Sequence, residues 1–563
     1  MRVVKVMWFE KWITAHPHRA FLAVFIGIFT LFFFLLSHRP LATPDEGRYV
    51  EIPREMLETG DYITPHLNNL PYFEKPPLVY WMTAAGISFF GQNTWGARIP
   101  LAFFAFLGCL MLYGFSRTYQ SSLATLTAPL VLATSTLYFG MARILTLDLF
   151  VSVWMAAALL AFYQSVRMPQ KKIFSLLYGA SLAGAVMTKG LMGIVLPGFI
   201  ILLWIVWQRR WQLLVKAFHP LTLLSFFLLA TPWHLLASLR TPSFAWFYFI
   251  HEHFIRYTTV AHGRFQPFWF FIPVLLLGFF PWFCFLFLKH KQKAPQTLPK
   301  DLRLFLWMWI VCTFGFFSVS QSKLIPYILP IFPPLAILIA QNVNGLLKRN
   351  TPVPLANAAL YTTTGLLLGV TAIFARAHNV IQITEGLFCE NFLTFLIAAM
   401  ALVFIATAVG SFFLRKKVKA YFACVLFGHI LALCLAAYGD PLVQRYRPID
   451  DVAHFIQTQN ENTHPSVVVH GFYPQDLPVY LKNTVHVFAY RGEMSFGAQV
   501  QPQQKTLINA QTLQHLWSSN LCFIIILDKN KGHVFPELQK LLSSVYLVYQ
   551  RSPYVVFSNK PIR

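Results

Sequence analysis

The chain has 563 residues, 56% of them hydrophobic and only 12% charged, with a mean hydropathy of +0.54. A soluble domain carries roughly 25% charged residues, so there is too little polar material here to cover the several cores a soluble chain of this length would need; disorder, collagen and coiled coil fall to the same figures. The net charge of +24, from 45 Lys and Arg against 21 Asp and Glu, fits the cytoplasmic loops of a polytopic membrane protein and not a nucleic-acid partner, since no basic face on a soluble module is apparent.

Apolar stretches close to the roughly 20 residues that cross a bilayer occur at 20–37, 99–116, 123–140, 148–164, 173–188, 190–207, 219–238, 268–288, 303–319, 325–345, 355–375, 392–414 and 419–438. They predict about thirteen transmembrane helices. The first follows Arg2, Lys5, Lys11 and Arg19 and is not followed by a small-residue cleavage site, so it is read as a retained anchor. The run Leu78–Phe90, after Pro76-Pro77, is too short to span and is expected as an interfacial helix. With the N-terminus cytoplasmic, the inner loops collect cations such as Arg167, Lys171, Lys172, Arg209, Arg210, Arg415, Lys416 and Lys417, as the positive-inside rule requires. Loops 38–98 and 239–267 and everything after about 440 then face outward. The seven cysteines are scattered, mostly inside apolar runs, and no disulfide is expected.

Beyond the last apolar stretch the composition becomes mixed. Strands at Val467–His470, Val485–Ala489, Phe523–Leu527, Val545–Tyr549 and Tyr554–Phe557 alternate with helices at Pro448–Gln459, Asp476–Lys482 and Phe535–Ser543. That pattern predicts a small α/β domain. The fold class is therefore a polytopic α-helical membrane unit, 1–440, followed by a C-terminal α/β domain, 441–563.

The first outer loop holds seven of the 21 acids, between Asp45 and Glu74. For Glu51, Glu55 and Glu58 a solvated loop is expected, with Arg54 and Glu58 spaced for a helical i,i+4 pair. Asp45 follows the first span at the membrane surface. Lys75 lies in Tyr-Phe-Glu-Lys-Pro-Pro, where a cation is well placed for a lipid phosphate and where snorkelling alone would also explain it. Asp148 opens the fourth span, where helix capping is expected. Lys189 occupies a tight Thr-Lys-Gly turn; His251, Glu252, His253 and Arg256 follow an aromatic run; Lys323 and Tyr327 begin a Pro-rich span. On this topology all lie on one side, and charges at membrane depth face a cavity or a partner. Their sum is a polar chamber with cations to clamp a phosphate and Asp45 or Asp148 to act on a sugar or receive a proton. This favours an enzyme acting on a membrane-bound phosphate ester. A binding-only channel needs no such combination, and a proton-coupled carrier more often places its charges at mid-membrane, commonly with internal repeats that are lacking here.

The stretch PDEGRYVEIPREMLETGDYITPHLNNLPYFEKPPLVYW (44–81) resembles the bacterial lipid A aminoarabinose transferases, polyprenol-phosphate-dependent glycosyltransferases of the GT-C type. EHFIRY, PFWFFIP, SKLIPYILP (322–330) and RGEMSFG (491–497) are similar to later parts of that family. The resemblance implies a GT-C architecture and a donor of 4-amino-4-deoxy-L-arabinose linked to undecaprenyl phosphate. It implies a lipid A phosphate as acceptor at the periplasmic face of the bacterial inner membrane, with polymyxin resistance as the consequence. It also implies that Asp45 is catalytic, that Arg48, Tyr72, Lys75 and Arg256 surround the carrier phosphate with Tyr327 nearby, and that Glu493 has functional weight in the C-terminal domain. Glu74 and His253 match a divalent-metal pair, though two ligands make a thin site and an incidental ion reads equally well. No cofactor is required on this reading, and a monomer among membrane lipids is expected. One segment, VAHGRFQPFW (260–269), is less regular than the family's. Relatives that move another sugar, to lipid A or to protein hydroxyls, share the same motifs; a lipid-linked transporter or flippase is the third reading.

Overall fold

The computed structural model describes residues 15–255, 265–286, 298–349, 352–353, 355–377, 387–444, 449–459, 465–519 and 521–562. Each of the thirteen apolar stretches is helical in whole or in part. Among the described residues seven helices are long and apolar enough to cross a membrane by themselves: Thr94–Tyr119, Leu147–Arg167, Trp211–Arg240, Lys300–Val319, Ile325–Lys348, Thr394–Leu414 and Val418–Pro441. The chain is a multi-pass membrane protein. Thirteen independent spans are more than these helices establish. Pro17–Phe33, Ile173–Lys189 and Met192–Gln208 have 17 residues each, about 25 Å at the α-helical rise. Two further stretches are interrupted, between Ala133 and Thr136 and between Gly278 and Trp282. Helix Pro220–Arg240 leaves Leu224, Phe227, Leu228, Leu235 and Leu239 exposed, an apolar belt of the kind that faces lipid in a membrane protein. Inside the bundle Trp204 meets both Phe162 and Phe305 edge to face, with Trp204 and Phe305 centroids 5.2 Å apart, the arrangement that ring quadrupoles prefer.

The first loop is folded, not extended. Helix Asp45–Thr59 leads to a hairpin of β1 (His66–Leu67) and β2 (Leu70–Pro71), turned by Asn68 and Asn69 at φ of +54° and +62°, which asparagine tolerates best among non-glycine residues. Helix Leu78–Phe90 then follows the two prolines, and its 13 residues are too few to cross a bilayer by themselves. The solvated-loop expectation fails for Glu51 and Glu55, which are 0% and 3% exposed, because the C-terminal domain sits on this helix. Arg54 grips both oxygens of Glu51 at 2.6 and 2.7 Å and also pairs with half-exposed Glu58, the anticipated i,i+4 contact. Glu55 accepts from the Asn69 backbone N–H at 2.9 Å. Burial and the charge of Glu51 together push the Glu55 carboxyl well above its usual range.

Glu46, next to Asp45, is fully buried. Its carboxylate accepts from Arg39 at 2.6 and 2.9 Å, from Arg98 at 2.8 and 3.0 Å, and from the backbone N–H groups of Ala42 and Leu145 at 2.8 and 2.7 Å. Arg39 also pairs with Asp440, at 2.8 Å, near the end of helix Val418–Gln444. Arg143 donates to the carbonyls of Phe34 and Leu35, at 2.6 and 2.8 Å, where helix Pro17–Phe33 ends, a cation at the negative end of a helix.

The C-terminal domain carries a six-stranded sheet of β3 (Ser466–His470), β4 (His486–Phe488), β5 (Leu507–Ile508), β6 (Cys522–Leu527), β7 (Tyr546–Arg551) and β8 (Tyr554–Ser558) in the order β5-β4-β3-β6-β8-β7. The β5-β4-β3-β6 part is parallel and β6-β8-β7 antiparallel. Central β3 and β6 are continuous apolar runs because both faces are covered, as parallel strands require. All five predicted strands form; β5 and helix Ala510–Ser519 were not anticipated, β5 being too short to show alternation. The domain seats on the first loop through Thr43 to Asp476 (2.5 Å), Leu41 N–H to Tyr480 (2.9 Å) and a paired contact of Asn68 with the Val485 backbone at 2.8 and 2.9 Å. Two glycines permit this closeness. A Cβ at Gly47 would lie 2.5 Å from the Asp476 nitrogen, and one at Gly497 would lie 2.5 Å from the Pro71 oxygen.

Glu46→Ala leaves Arg39 and Arg98 buried without their counter-charge, and is expected to cost about 3–5 kcal/mol. Thermal unfolding in detergent checks this; an unchanged midpoint would show that the network holds nothing. Gly497→Ala is expected to lift the C-terminal domain, seen as faster limited proteolysis of that domain while the helices stay intact. Gly27→Ala, with nothing within 4 Å of the added carbon, is the control that should remain resistant.

Candidate active site

Helix Asp45–Thr59 places Asp45 and Arg48 one turn apart, 3.6 Å from carboxylate to guanidinium. Asp45 is half exposed and Arg48 largely covered. From the C-terminal domain Glu493 reaches Arg48, with Oε2 2.7 Å from Nε. Gln475 steadies the other oxygen of Glu493 by donating to it at 2.5 Å. The Arg48 guanidinium stands 6.0 Å over the ring of Tyr72, a cation–π distance. Burial pushes the Glu493 carboxyl up even with Arg48 opposing the shift. Arg48 is held well above its ordinary value: burial lowers it, but Tyr72 and Glu493 outweigh that. Arg48 therefore stays cationic throughout the working range.

Lys75 lies three residues beyond Tyr72 and is mostly covered. Its ammonium donates to the Glu74 carbonyl at 2.6 Å and lies 3.4 Å from Glu252 Oε2, on the second long loop. Glu252 Oε1 is in turn 3.4 Å from His251 Nδ1. Asp148 does not cap its helix, as the sequence suggested. The cap position belongs to Thr146, without a side-chain bond, and Asp148 pairs with Lys189 across the tight turn. Lys189 in turn stands 4.6 Å over the ring of Tyr327. Arg48, Asp45, Asp148 and Glu74 are the charged neighbours of buried Tyr49. Tyr49 stacks on Tyr80 at 5.9 Å. The hydroxyls of Tyr72 and Tyr80 are buried and have no hydrogen-bond partner among the described residues.

Asp45, Arg48, Tyr72, Glu74, Asp148 and Glu493 thus gather at the face that carries the C-terminal domain, linked to Lys75 through the Tyr72–Lys75 segment and to Tyr327 through Lys189. Arg256 and the side chain of His253 lie outside the described residues. Among the described residues no three His, Cys, Asp or Glu side chains converge as metal ligands; the expected Glu74–His253 pair lies partly outside those residues. Lys323 is held by the backbone carbonyls of Ser320 and Gln266, not by this cluster. Sequence reasoning missed Gln475, which has no local signal. It also left Glu46 and Glu252 as two charges among many. The only hint at Glu46 was its place beside Asp45, and at Glu252 its place between two histidines. Chemically the arrangement presents an accessible carboxylate beside cations and buried phenols, able to hold a phosphate ester next to Asp45.

Residues 18–248 match the dolichyl-phosphate-mannose-protein mannosyltransferase family, and residues 452–559 match the aminoarabinose transferase C-terminal domain. An undecaprenyl phosphate-α-4-amino-4-deoxy-L-arabinose arabinosyl transferase of Aeromonas hydrophila is 35% identical over 331 residues, 57% of this chain; the chain spans only 60% of that relative's length. A second transferase of the same name, from Sodalis glossinidius, is 33% identical over 439 residues, covering 77% of this chain and 78% of its own. The crystal structure of ArnT from Cupriavidus metallidurans bound to undecaprenyl phosphate superposes with a TM-score of 0.83 at 27% identity, over 96% of this chain and 98% of that one. The chain belongs to the undecaprenyl phosphate-α-4-amino-4-deoxy-L-arabinose arabinosyl transferase family, glycosyltransferases of the GT-C type.

Proposed function

We propose that the chain transfers 4-amino-4-deoxy-L-arabinose from undecaprenyl phosphate to a phosphate of lipid A, at the periplasmic face of the bacterial inner membrane, and acts as a monomer. The observation that carries this reading is half-exposed Asp45 one helical turn from buried, permanently cationic Arg48, with Lys75 on the adjoining segment. The names of the relatives and the carrier bound to the Cupriavidus enzyme supply the sugar and the lipid.

An oxygen of the acceptor phosphate forms a bond to the anomeric carbon while the bond from that carbon to the carrier phosphate oxygen breaks, with inversion. The electron pair leaves with undecaprenyl phosphate. Arg48 and Lys75 stabilise the charge that develops on this leaving group, in a site partly shielded from water. A phosphate acceptor is already ionised near neutral pH, so Asp45 need not remove a proton; it orients the acceptor or stabilises the oxocarbenium-like centre. Asp148 holds Lys189, and through it the wall formed by Tyr327. The exchange is redox-neutral and needs no redox cofactor. The product gains an amine and loses phosphate charge, which weakens the attraction of polycationic peptides such as polymyxin, worth about 1 kcal/mol per basic residue at an anionic surface.

A second reading, favoured by the match of residues 18–248 to protein mannosyltransferases, is transfer of another sugar to a protein hydroxyl. There Asp45 would act as a true base. Mass spectrometry of lipid A from cells with and without the chain separates the two. A pentosamine on a phosphate supports the first reading, a hexose or hexosamine a relative, and unmodified lipid A with glycosylated protein the second. Unmodified lipid A and protein would leave a transporter. Asp45→Asn is expected to abolish the modification, and Lys75→Ala to slow turnover about 10²–10³-fold, with membrane abundance normal. Full activity of both variants would reject the site. Reporters fused in loop 38–98 or after residue 440 are expected outside, and one within 289–302 inside; a cytoplasmic C-terminal domain would overturn the assignment of face.

A further inference from the structure

Three cations of the site already face a carboxylate of the protein: Arg48 faces Glu493, Lys189 faces Asp148 and Lys75 faces Glu252. Two of these pairs are supported structurally. Gln475 holds Glu493 from behind, and Asp148 and Lys189 close against the Tyr327 ring. The Lys75–Glu252 pair is looser, at 3.4 Å, and its carboxylate is only 5% exposed. Glu252 comes from the segment Trp246–Ile255, wound in π-type turns, a rare geometry that is frequent at functional sites. Its other oxygen faces half-exposed His251. Glu252 is thus a poorly hydrated negative charge beside the ammonium assigned to the carrier phosphate.

We propose that Glu252 is an internal counter-anion that competes with the carrier phosphate for Lys75 and so sets how readily the spent carrier leaves. The inference rests on the reading of Lys75 as a carrier-phosphate ligand. The donor is a phosphodiester with one negative charge. The product, undecaprenyl phosphate, is a monoester with about −1.5 to −2 at neutral pH. Coulomb energy is proportional to each charge, so a fixed carboxylate at a given distance opposes a dianion about twice as strongly as a monoanion. Without that opposition the cations would hold the product tighter than the donor, and the enzyme would be inhibited by its own leaving group. Glu252 acts most strongly on the state that has to dissociate. When the phosphate departs, the carboxylate takes back the ammonium, and Lys75 is not left unpaired.

The test uses the purified full-length chain with undecaprenyl phosphate as the probe. Glu252→Gln removes the charge and keeps the shape. It is expected to tighten undecaprenyl phosphate about three- to fivefold, the upper value corresponding to roughly 1 kcal/mol, and to lower the donor KM by less. Steady-state turnover slows while the first turnover does not. Glu252→Asp, which draws the carboxylate back by one methylene, shows the same direction more weakly and serves where the Gln variant fails to fold. In a Lys75→Ala background Glu252→Gln loses most of its effect. A purely structural Glu252 would give weaker binding of both lipids, and that result, or unchanged product affinity in a protein whose Lys75→Ala variant binds less, overturns the inference. If Lys75→Ala itself leaves undecaprenyl phosphate binding unchanged, the reading of the site has failed instead.

Discussion

Glu46 is a charge placed where charges are expensive. Burial on its own raises its carboxyl pKa; Arg39 and Arg98 reverse that and bring it to about 2. A buried ion set of this kind is worth little more than an apolar core when complete, and becomes strongly destabilising when one member is missing. What it contributes is geometry. Its partners are Arg98 near the start of helix Thr94–Tyr119, Leu145 just before helix Leu147–Arg167, and Arg39 just beyond helix Pro17–Phe33. Through Arg39 it also reaches Asp440, near the end of helix Val418–Gln444. Helix ends far apart in sequence are thereby fixed on one face. The next residue back along the chain is Asp45, so the candidate reactive carboxylate hangs from a backbone that its buried neighbour has already immobilised.

The C-terminal domain completes what that network begins. The segment RGEMSFG enters the space between the two long loops, and its residues divide the contacts. Glu493 takes Arg48, Met494 is buried, Phe496 stacks on Phe247 with centroids 3.8 Å apart, and Gly497 lets the backbone lie against Pro71. Phe247 belongs to the same π-wound segment as Glu252, and Pro71 ends the hairpin just before Tyr72 and Lys75. One short stretch of the domain therefore positions both loops that border the candidate site. Asp476 lies under the same seam, where burial raises its carboxyl to about 7 despite the hydrogen bond from Thr43. At pH above the ordinary carboxyl range that group opposes docking, so the other contacts of the seam have to outweigh it.

What was legible in the sequence was whatever depends on local periodicity. The apolar stretches became helices, the alternating segments became strands, and Arg54 found Glu58 because four residues make one helical turn. The closeness of Asp45 and Arg48 also follows from local spacing, since three residues make nearly one helical turn. The failures arise where a partner comes from far along the chain. Glu51 and Glu55 read as solvated because nothing within the loop announces that a domain 400 residues later will cover it; the Asn68–Val485 contact bridges 417 positions. Asp148 read as a helix cap because its actual partner, Lys189, lies 41 residues away. Seven of the thirteen predicted spans form helices long and apolar enough to cross a membrane by themselves among the described residues. Hydropathy measures apolar length, while the helices at 123–140 and 268–288 are broken by interruptions that do not lower hydropathy.

The pairing of cations also bears on which anions the site accepts. The whole chain carries +24, yet at the site Arg48, Lys75 and Lys189 each meet a carboxylate. Such a site does not act as an open positive patch, and a soluble anion gains little from entering it, because it must displace a partner already held at high effective concentration. A phosphate anchored in the bilayer by a long polyprenyl chain is different. The membrane confines it to the plane of the loops and raises its local concentration in the way a tether does, and burial of the chain supplies apolar binding energy that a free phosphate lacks. In the proposed reaction, selectivity for a lipid-linked phosphate then follows from exchange of one anion for another at a charge-balanced site, with the lipid anchor deciding which anion can afford the exchange.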